Sequence, residues 1–100
     1  MDRPRIDTLL RAAARDGACT VRDLQSHRRV QHIVEARLVF TALAKHYRYR
    51  HYEIGWALHK WRTSANYYVK RVAERKASPF FEKQINELIK SIENDKKKRI

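Results

Sequence analysis

HYEIGWALHKWRTSANYYVK, residues 51–70, is the stretch whose reading decides the fold. It divides into two helices with a sharp turn between them. The first is expected from about His51 to Leu58, because Ile54 and Leu58 stand four apart and share one face. Gly55 lies beside them and leaves room for another helix to approach. The second is expected from near Thr63 through Lys76, with the Thr63 hydroxyl as N-cap for an amide of the first turn. Ala65, Tyr68, Val69 and Val72 then recur at helical spacing and point inward. His59, Lys60, Trp61 and Arg62 are left for the turn. This is the layout of a helix-turn-helix, whose second helix enters the DNA major groove with its N-terminal end. The outward residues suit that work. Trp61, Arg62, Thr63, Ser64, Asn66, Tyr67 and Lys70 offer cations, hydroxyls, an amide and aromatic rings to phosphates and base edges. The bland alternative is a structural helical hairpin, and this turn lacks the glycine many such motifs carry.

Upstream lies an apolar helix. From about Val30 to Tyr47, Ile33, Ala36, Phe40, Leu43 and Tyr47 form one face, and Val34, Leu38, Val39, Ala42 and Ala44 widen it almost to the full circumference. A helix apolar nearly all round belongs in a core, so this one is expected to be the central strut. Arg48, Tyr49 and Arg50 make the turn from it into the hairpin. Before it, Ser26 to Gln31 is polar and basic. Arg28 and Arg29 stand at the strut's N-terminus, where the macrodipole disfavours cations. Nothing local explains the pair; a phosphate or a groove would.

The remaining pieces are also helical. Asp2 to Asp16 reads as a helix, with Pro4 suited to its first helical position, Ile6, Leu9, Leu10 and Ala13 as its stripe, and Gly17 as its C-terminal cap. Thr20 opens a short helix, with Asp23 three residues on completing a near capping box. Ser78 and Pro79 break the hairpin's second helix and start a last one, which is expected to run to about Asn94 with Phe81, Ile85, Leu88 and Ile92 packed on its own domain. The chain is therefore expected to be all-α, five to six helices, in one helix-turn-helix domain over residues 1–95. Residues 96–100 would be a frayed basic tail.

Composition narrows the class. A chain of 100 residues with two Gly and two Pro has little room for long loops or an all-β fold. The formal net charge is +12, and residues 27–76 hold +9 of it, twelve Lys and Arg against three Asp and Glu. Such a surplus on the hairpin and its approach points to a polyanion, nucleic acid before membrane. No apolar run suggests a membrane span or a signal peptide, which leaves a cytoplasmic, nucleoid-associated protein as the expectation. One cysteine, Cys19, forms no internal disulfide and reads as a small buried thiol. Five histidines, His27, His32, His46, His51 and His59, show no zinc spacing, and there is no phosphate-binding glycine loop. No catalytic constellation is visible, so neither enzyme nor cofactor is expected.

Read in order, the pieces resemble the C-terminal DNA-binding domain of the bacterial replication initiator DnaA. The residues that carry the resemblance are Thr20-Val21-Arg22-Asp23-Leu24, Ser26-His27-Arg28-Arg29, Ala42-Leu43-Ala44-Lys45, Glu53-Ile54-Gly55 and the hydroxyl pair Thr63-Ser64. The resemblance covers roughly residues 3 to 92. It implies a DnaA C-terminal-like, or Trp repressor-like, fold that binds double-stranded DNA. Arg28 and Arg29 would be minor-groove loop contacts, and Arg62, Thr63 and Ser64 recognition-helix contacts. One departure matters. The family's Gly-Gly-Arg-Asp-His turn is here His59-Lys60-Trp61-Arg62, one residue shorter, so DNA binding carries over better than sequence preference. The family's ATPase module is absent from these residues.

The expected function is that of a small regulator of transcription or of replication initiation, in a bacterium or a phage, as a monomer or weak dimer. Arg28, Arg29, Arg48, Arg50, Lys60, Trp61, Arg62, Thr63, Ser64, Asn66, Tyr67 and Lys70 are the candidate contacts. Among them, Lys60 and Lys70 are expected on phosphates, Arg62 and Asn66 on base edges. Two rivals stand. One is a protein-interaction module of the replication or transcription machinery that has lost base reading. The other is an RNA binder that stacks bases on Tyr47, Tyr49, Tyr52, Trp56, Trp61, Tyr67 and Tyr68.

Overall fold

The apolar strut decides the architecture. In the computed structural model it is α3, Gln31–His46, and it is buried without a break from Ala36 to Ala44. The structure describes residues 3–60 and 62–98, except for the side chains of residues 62, 63 and 96–98. Around α3 lie α1 (Ile6–Asp16), α2 (Val21–Leu24), α4 (His51–Ala57), α5 (Arg62–Arg75) and α6 (Pro79–Lys98), with no strand among the described residues. The protein is all-α. Helix α3 packs chiefly on α1 and α5, and also on α2 and α6, while α4 packs on α5. One apolar cluster joins Leu9 and Leu10 of α1, Leu24, Phe40 and Leu43, Ile54 and Leu58, Val72, and Phe81 and Ile85 of α6. Burial of aliphatic and aromatic side chains at about 1.5–3 kcal/mol each is the main favourable term.

Several boundaries differ from expectation for local reasons. Helix α1 begins at Ile6, and Pro4 stands before it as a buried residue whose carbonyl accepts a hydrogen bond from the Tyr49 hydroxyl. Asp2 lies outside the described residues. Tyr49 is thus no loose turn residue: it is buried, with the Arg3 guanidinium 3.8 Å over its ring. Gly17 caps α1 at an ordinary φ of −86°, and the left-handed residue is Ala18, at 56°. Glycine at 17 answers a packing need, since a Cβ there would lie 2.7 Å from Ala36 Cβ. The Thr20 cap is as expected. Its hydroxyl accepts from the Asp23 amide and the Asp23 carboxylate accepts from the Thr20 amide, both at 3.1 Å. Helix α5 starts at Arg62, which puts Thr63 inside the first turn and not at the cap. Helix α6 continues to Lys98, so the expected tail is helical for three residues more.

Three helices end alike. The Cys19 amide donates to Ala14 O, the Tyr49 amide to Ala44 O and the Lys60 amide to Gly55 O, at 2.9, 2.9 and 2.8 Å. Each of these bonds closes a Schellman turn, in which the residue just past the helix is left-handed. Ala18, Arg48 and His59 take that place, with φ of 56°, 65° and 56°. The missing glycine of the α4–α5 turn is therefore replaced by a strained His59. A non-glycine residue in this region costs about 1–2 kcal/mol, which the two turn hydrogen bonds offset.

Candidate functional site

Three separate stretches of chain meet at one open cleft of about 670 Å3. The loop between α2 and α3 contributes His27 and Arg29, the α4–α5 turn contributes His59 and Lys60, and the start of α5 contributes Ser64, Tyr67 and Tyr68. Arg37 closes the floor. None of the described residues lining the cleft is acidic.

The loop is held by a residue that sequence reasoning passed over. Arg37 is 2% exposed in the middle of α3. Its Nε donates to Leu24 O at 2.9 Å, and its Nη2 donates to Asp23 O at 3.1 Å and Ser26 O at 2.8 Å. These carbonyls belong to the end of α2 and the residues just beyond, the negative end of a helix dipole. A buried guanidinium is thus compensated by carbonyl dipoles. The signal in sequence was an arginine on a helix with no solvated face to give it.

Lys60 ties the turn to the same loop. Its ammonium donates to Ser26 O and is half-buried. Burial lowers its pKa first, and the neighbouring Arg37 and Arg29 charges lower it further. Lys60, expected on a phosphate, is bonded here to the protein's own loop. Gln25 makes a second tie, donating through Nε2 to Ala57 O at 2.9 Å and so capping the end of α4. The position of Arg28 also has a local reason. It lies 3.5 Å from the Asp23 carboxylate, which the capping box points back toward the loop. The Thr20 backbone hydrogen bond is the main cause holding the Asp23 pKa down, with Arg28 a lesser one. Arg29 is exposed and makes no ion pair among the described residues.

The candidate contacts therefore divide. Arg29, Lys60, Ser64 and Tyr67 share the cleft, and Arg28 adjoins it in the loop. Asn66 and Lys70 are exposed on α5, but Asn66 Oδ1 is 2.7 Å from His51 Nδ1, so half of its amide is engaged with α4. Arg48 and Arg50 are exposed in the α3–α4 connection and do not line the cleft; the Arg50 amide donates to Glu53 Oε1 at 3.0 Å. Trp61, and the side chains of Arg62 and Thr63, lie outside the described residues. Of the aromatic residues, Tyr49 is buried and the half-buried Tyr47 donates to Glu93 Oε1 at 2.7 Å. Tyr52, Trp56 and Tyr67 are exposed, and the Tyr52 and Trp56 rings stack edge to face at 5.1 Å.

Among the described residues no cluster of His, Cys, Asp and Glu could hold a metal ion, and no helix is long and apolar enough to cross a membrane. The half-buried Cys19 thiol has its pKa raised, by burial first and by Asp23 second. Compared with family models and with curated proteins, the chain gives no match.

Proposed function

We propose that this chain binds double-stranded DNA, with α4 and α5 acting as a helix-turn-helix and the α2–α3 loop as a second contact. The reading makes it a small regulator of transcription or of replication initiation, in line with its resemblance to the DnaA C-terminal domain. One observation carries it. Arg29 of the α2–α3 loop, held in place in part by Lys60, meets Ser64 and Tyr67 of α5 at a cleft that no described carboxylate lines, in the part of the chain that holds +9 of the net charge. A helix-turn-helix places the first turn of its second helix against base edges while flanking cations grip phosphates. The first turn of α5 carries Arg62, Thr63 and Ser64.

The test is duplex binding as a function of salt. With about five phosphates neutralised, log K should fall against log salt with a slope of about −4 to −5. Arg28→Ala and Arg29→Ala should each weaken binding and leave the melting temperature nearly unchanged, because exposed charges contribute on the order of 1 kcal/mol or less to stability. Absence of duplex binding, or binding without a salt slope, refutes the proposal. A second reading, single-stranded nucleic acid, is favoured by the exposed Tyr52, Trp56 and Tyr67 rings. A single strand that outcompetes duplex, with loss on Trp56→Ala, would select it.

A further inference from the structure

A second groove lies on another face, between α1 and α6, and its chemistry is different. It encloses about 520 Å3. Thr8, Arg11, Ala12 and Arg15 line it from α1, and Leu88, Ser91, Ile92 and Asp95 from α6. Both sets recur at helical spacing, so each is one continuous face. The first turns of α6 meet the end of α1: Gln84 of α6 donates to Asp16 at 2.6 Å. The floor is apolar, with the buried Pro4 and the half-buried Ala12 and Leu88. Phe80, 86% exposed, stands one turn before Gln84 on the same face of α6, beyond the residues that line the groove.

The rim is cationic. Arg5, Arg11 and Arg15 are exposed and make no ion pair among the described residues. Arg3 is already committed, over the Tyr49 ring and 3.7 Å from Glu53. Asp16 and Asp95 sit toward opposite ends of the groove.

We propose that this groove docks an acidic amphipathic helix of a partner protein. An apolar floor needs an apolar face to cover it, and three unpaired arginines along one side need carboxylates beside that face. Arg5 and Arg15 are ten residues apart, about 15 Å along the helix. A helical partner with carboxylates spread over about ten residues matches that span. Duplex DNA fits poorly, because its convex backbone would leave the apolar floor wet. A second copy of this chain, at +12, is repelled. The inference is independent of the DNA reading.

The experiment uses the full chain and a fluorescein-labelled synthetic peptide, helix-forming and about four turns long. Leucines occupy one face and glutamates flank it; a control peptide has every glutamate changed to glutamine. Anisotropy is read at physiological salt for the parent, for Arg11→Gln/Arg15→Gln, for Phe80→Ser and for Arg28→Gln/Arg29→Gln, which loses the same charge elsewhere. The expected result is binding of the glutamate peptide alone, weakened about tenfold by the Arg11 and Arg15 pair, severalfold by Phe80→Ser, and twofold or less by the Arg28 and Arg29 pair. Equal losses for the two arginine pairs would show unspecific attraction and overturn the proposal, as would no binding at all. It is also overturned if the Arg11 and Arg15 pair weakens duplex DNA as much as the Arg28 and Arg29 pair does, or if it dissolves a dimer of the chain. Those outcomes would assign the groove to DNA or to a second copy.

Discussion

Arg37→Met is the perturbation that asks most of this structure. Two effects oppose each other. Removing a buried charge relieves its desolvation, and replacing a buried ionic group by a well-packed apolar one is often neutral or stabilising. Against that, the guanidinium makes three hydrogen bonds, to Leu24 O, Asp23 O and Ser26 O, at 2.9, 3.1 and 2.8 Å. Methionine fills much of the same volume but donates nothing. The Leu24 bond is fully buried, so its carbonyl would be stranded at a cost of about 1–3 kcal/mol. Asp23 O and Ser26 O are part-buried; Ser26 O keeps the Lys60 ammonium, and Asp23 O keeps the Ser26 hydroxyl. Those two should cost little alone. The desolvation credit is small because helix-end dipoles already solvate the charge. The net expectation is a loss of about 1–3 kcal/mol, or roughly 4–24 °C in Tm for a domain of this size. Thermal and urea unfolding at neutral pH measure it. Amide exchange should locate the loosened segment between Ser26 and Val30, while the α1–α6 contact stays protected. Arg37→Lys should fall between the two, since one ammonium cannot span three carbonyls. A methionine variant that melts with the parent would mean the carbonyls never depended on Arg37, and the account of how the loop is held would fail.

Two further expectations concern the same end of the molecule. Gly17→Ala should destabilise by about 1–3 kcal/mol despite an ordinary backbone, because the new Cβ would meet Ala36 Cβ at 2.7 Å; Ala36→Gly in the same chain should recover much of the loss, and a single mutant with unchanged Tm would refute the contact. The Asp23 carboxylate has its pKa lowered in the folded state, so its contribution is present above the unfolded value and disappears as pH falls through the folded one. Unfolding followed below about pH 4 should therefore show a loss of stability that Thr20→Ala, itself costing about 1 kcal/mol at neutral pH, makes shallower; an unchanged acid slope in that variant would remove the capping box as its cause.

How far the sequence could be read depends on which physical signal each feature leaves. Helix α3 was legible because apolarity around nearly the whole circumference has one stable solution, burial on all sides, and Ala36 to Ala44 are buried. The Thr20 and Asp23 box was legible because capping is local chemistry over four residues. What failed were inferences that needed a partner distant in sequence. Gly17 is the cap its position promised, but the reason that it must be glycine is Ala36, nineteen residues on. Pro4 looked like a helix start, but its carbonyl is claimed by Tyr49, forty-five residues away. Left-handed residues without glycine carry no local mark, so Ala18, Arg48 and His59 could not be anticipated.

The candidate site repeats that division and sharpens what it means. Residue type alone put Arg28, Arg29, Lys60 and Ser64 on a list of contacts, and three of these four line one cleft. Residue type could not say that some cations would be spent on the protein itself. Arg37 and Lys60 converge on Ser26 O, and Arg28 leans on Asp23. Each such tie lowers the entropy of the loop before any ligand arrives, because fixing a residue's backbone costs on the order of 1–2 kcal/mol. A loop of six residues, Gln25 to Val30, anchored through Gln25, Ser26 and Arg28 has already lost part of that freedom. Arg29 is then offered from a pre-ordered stalk with its own charge uncompensated. The inward cations hold the loop and the outward one remains available to a ligand. A count of net charge treats the two kinds alike, and only their hydrogen bonds tell them apart.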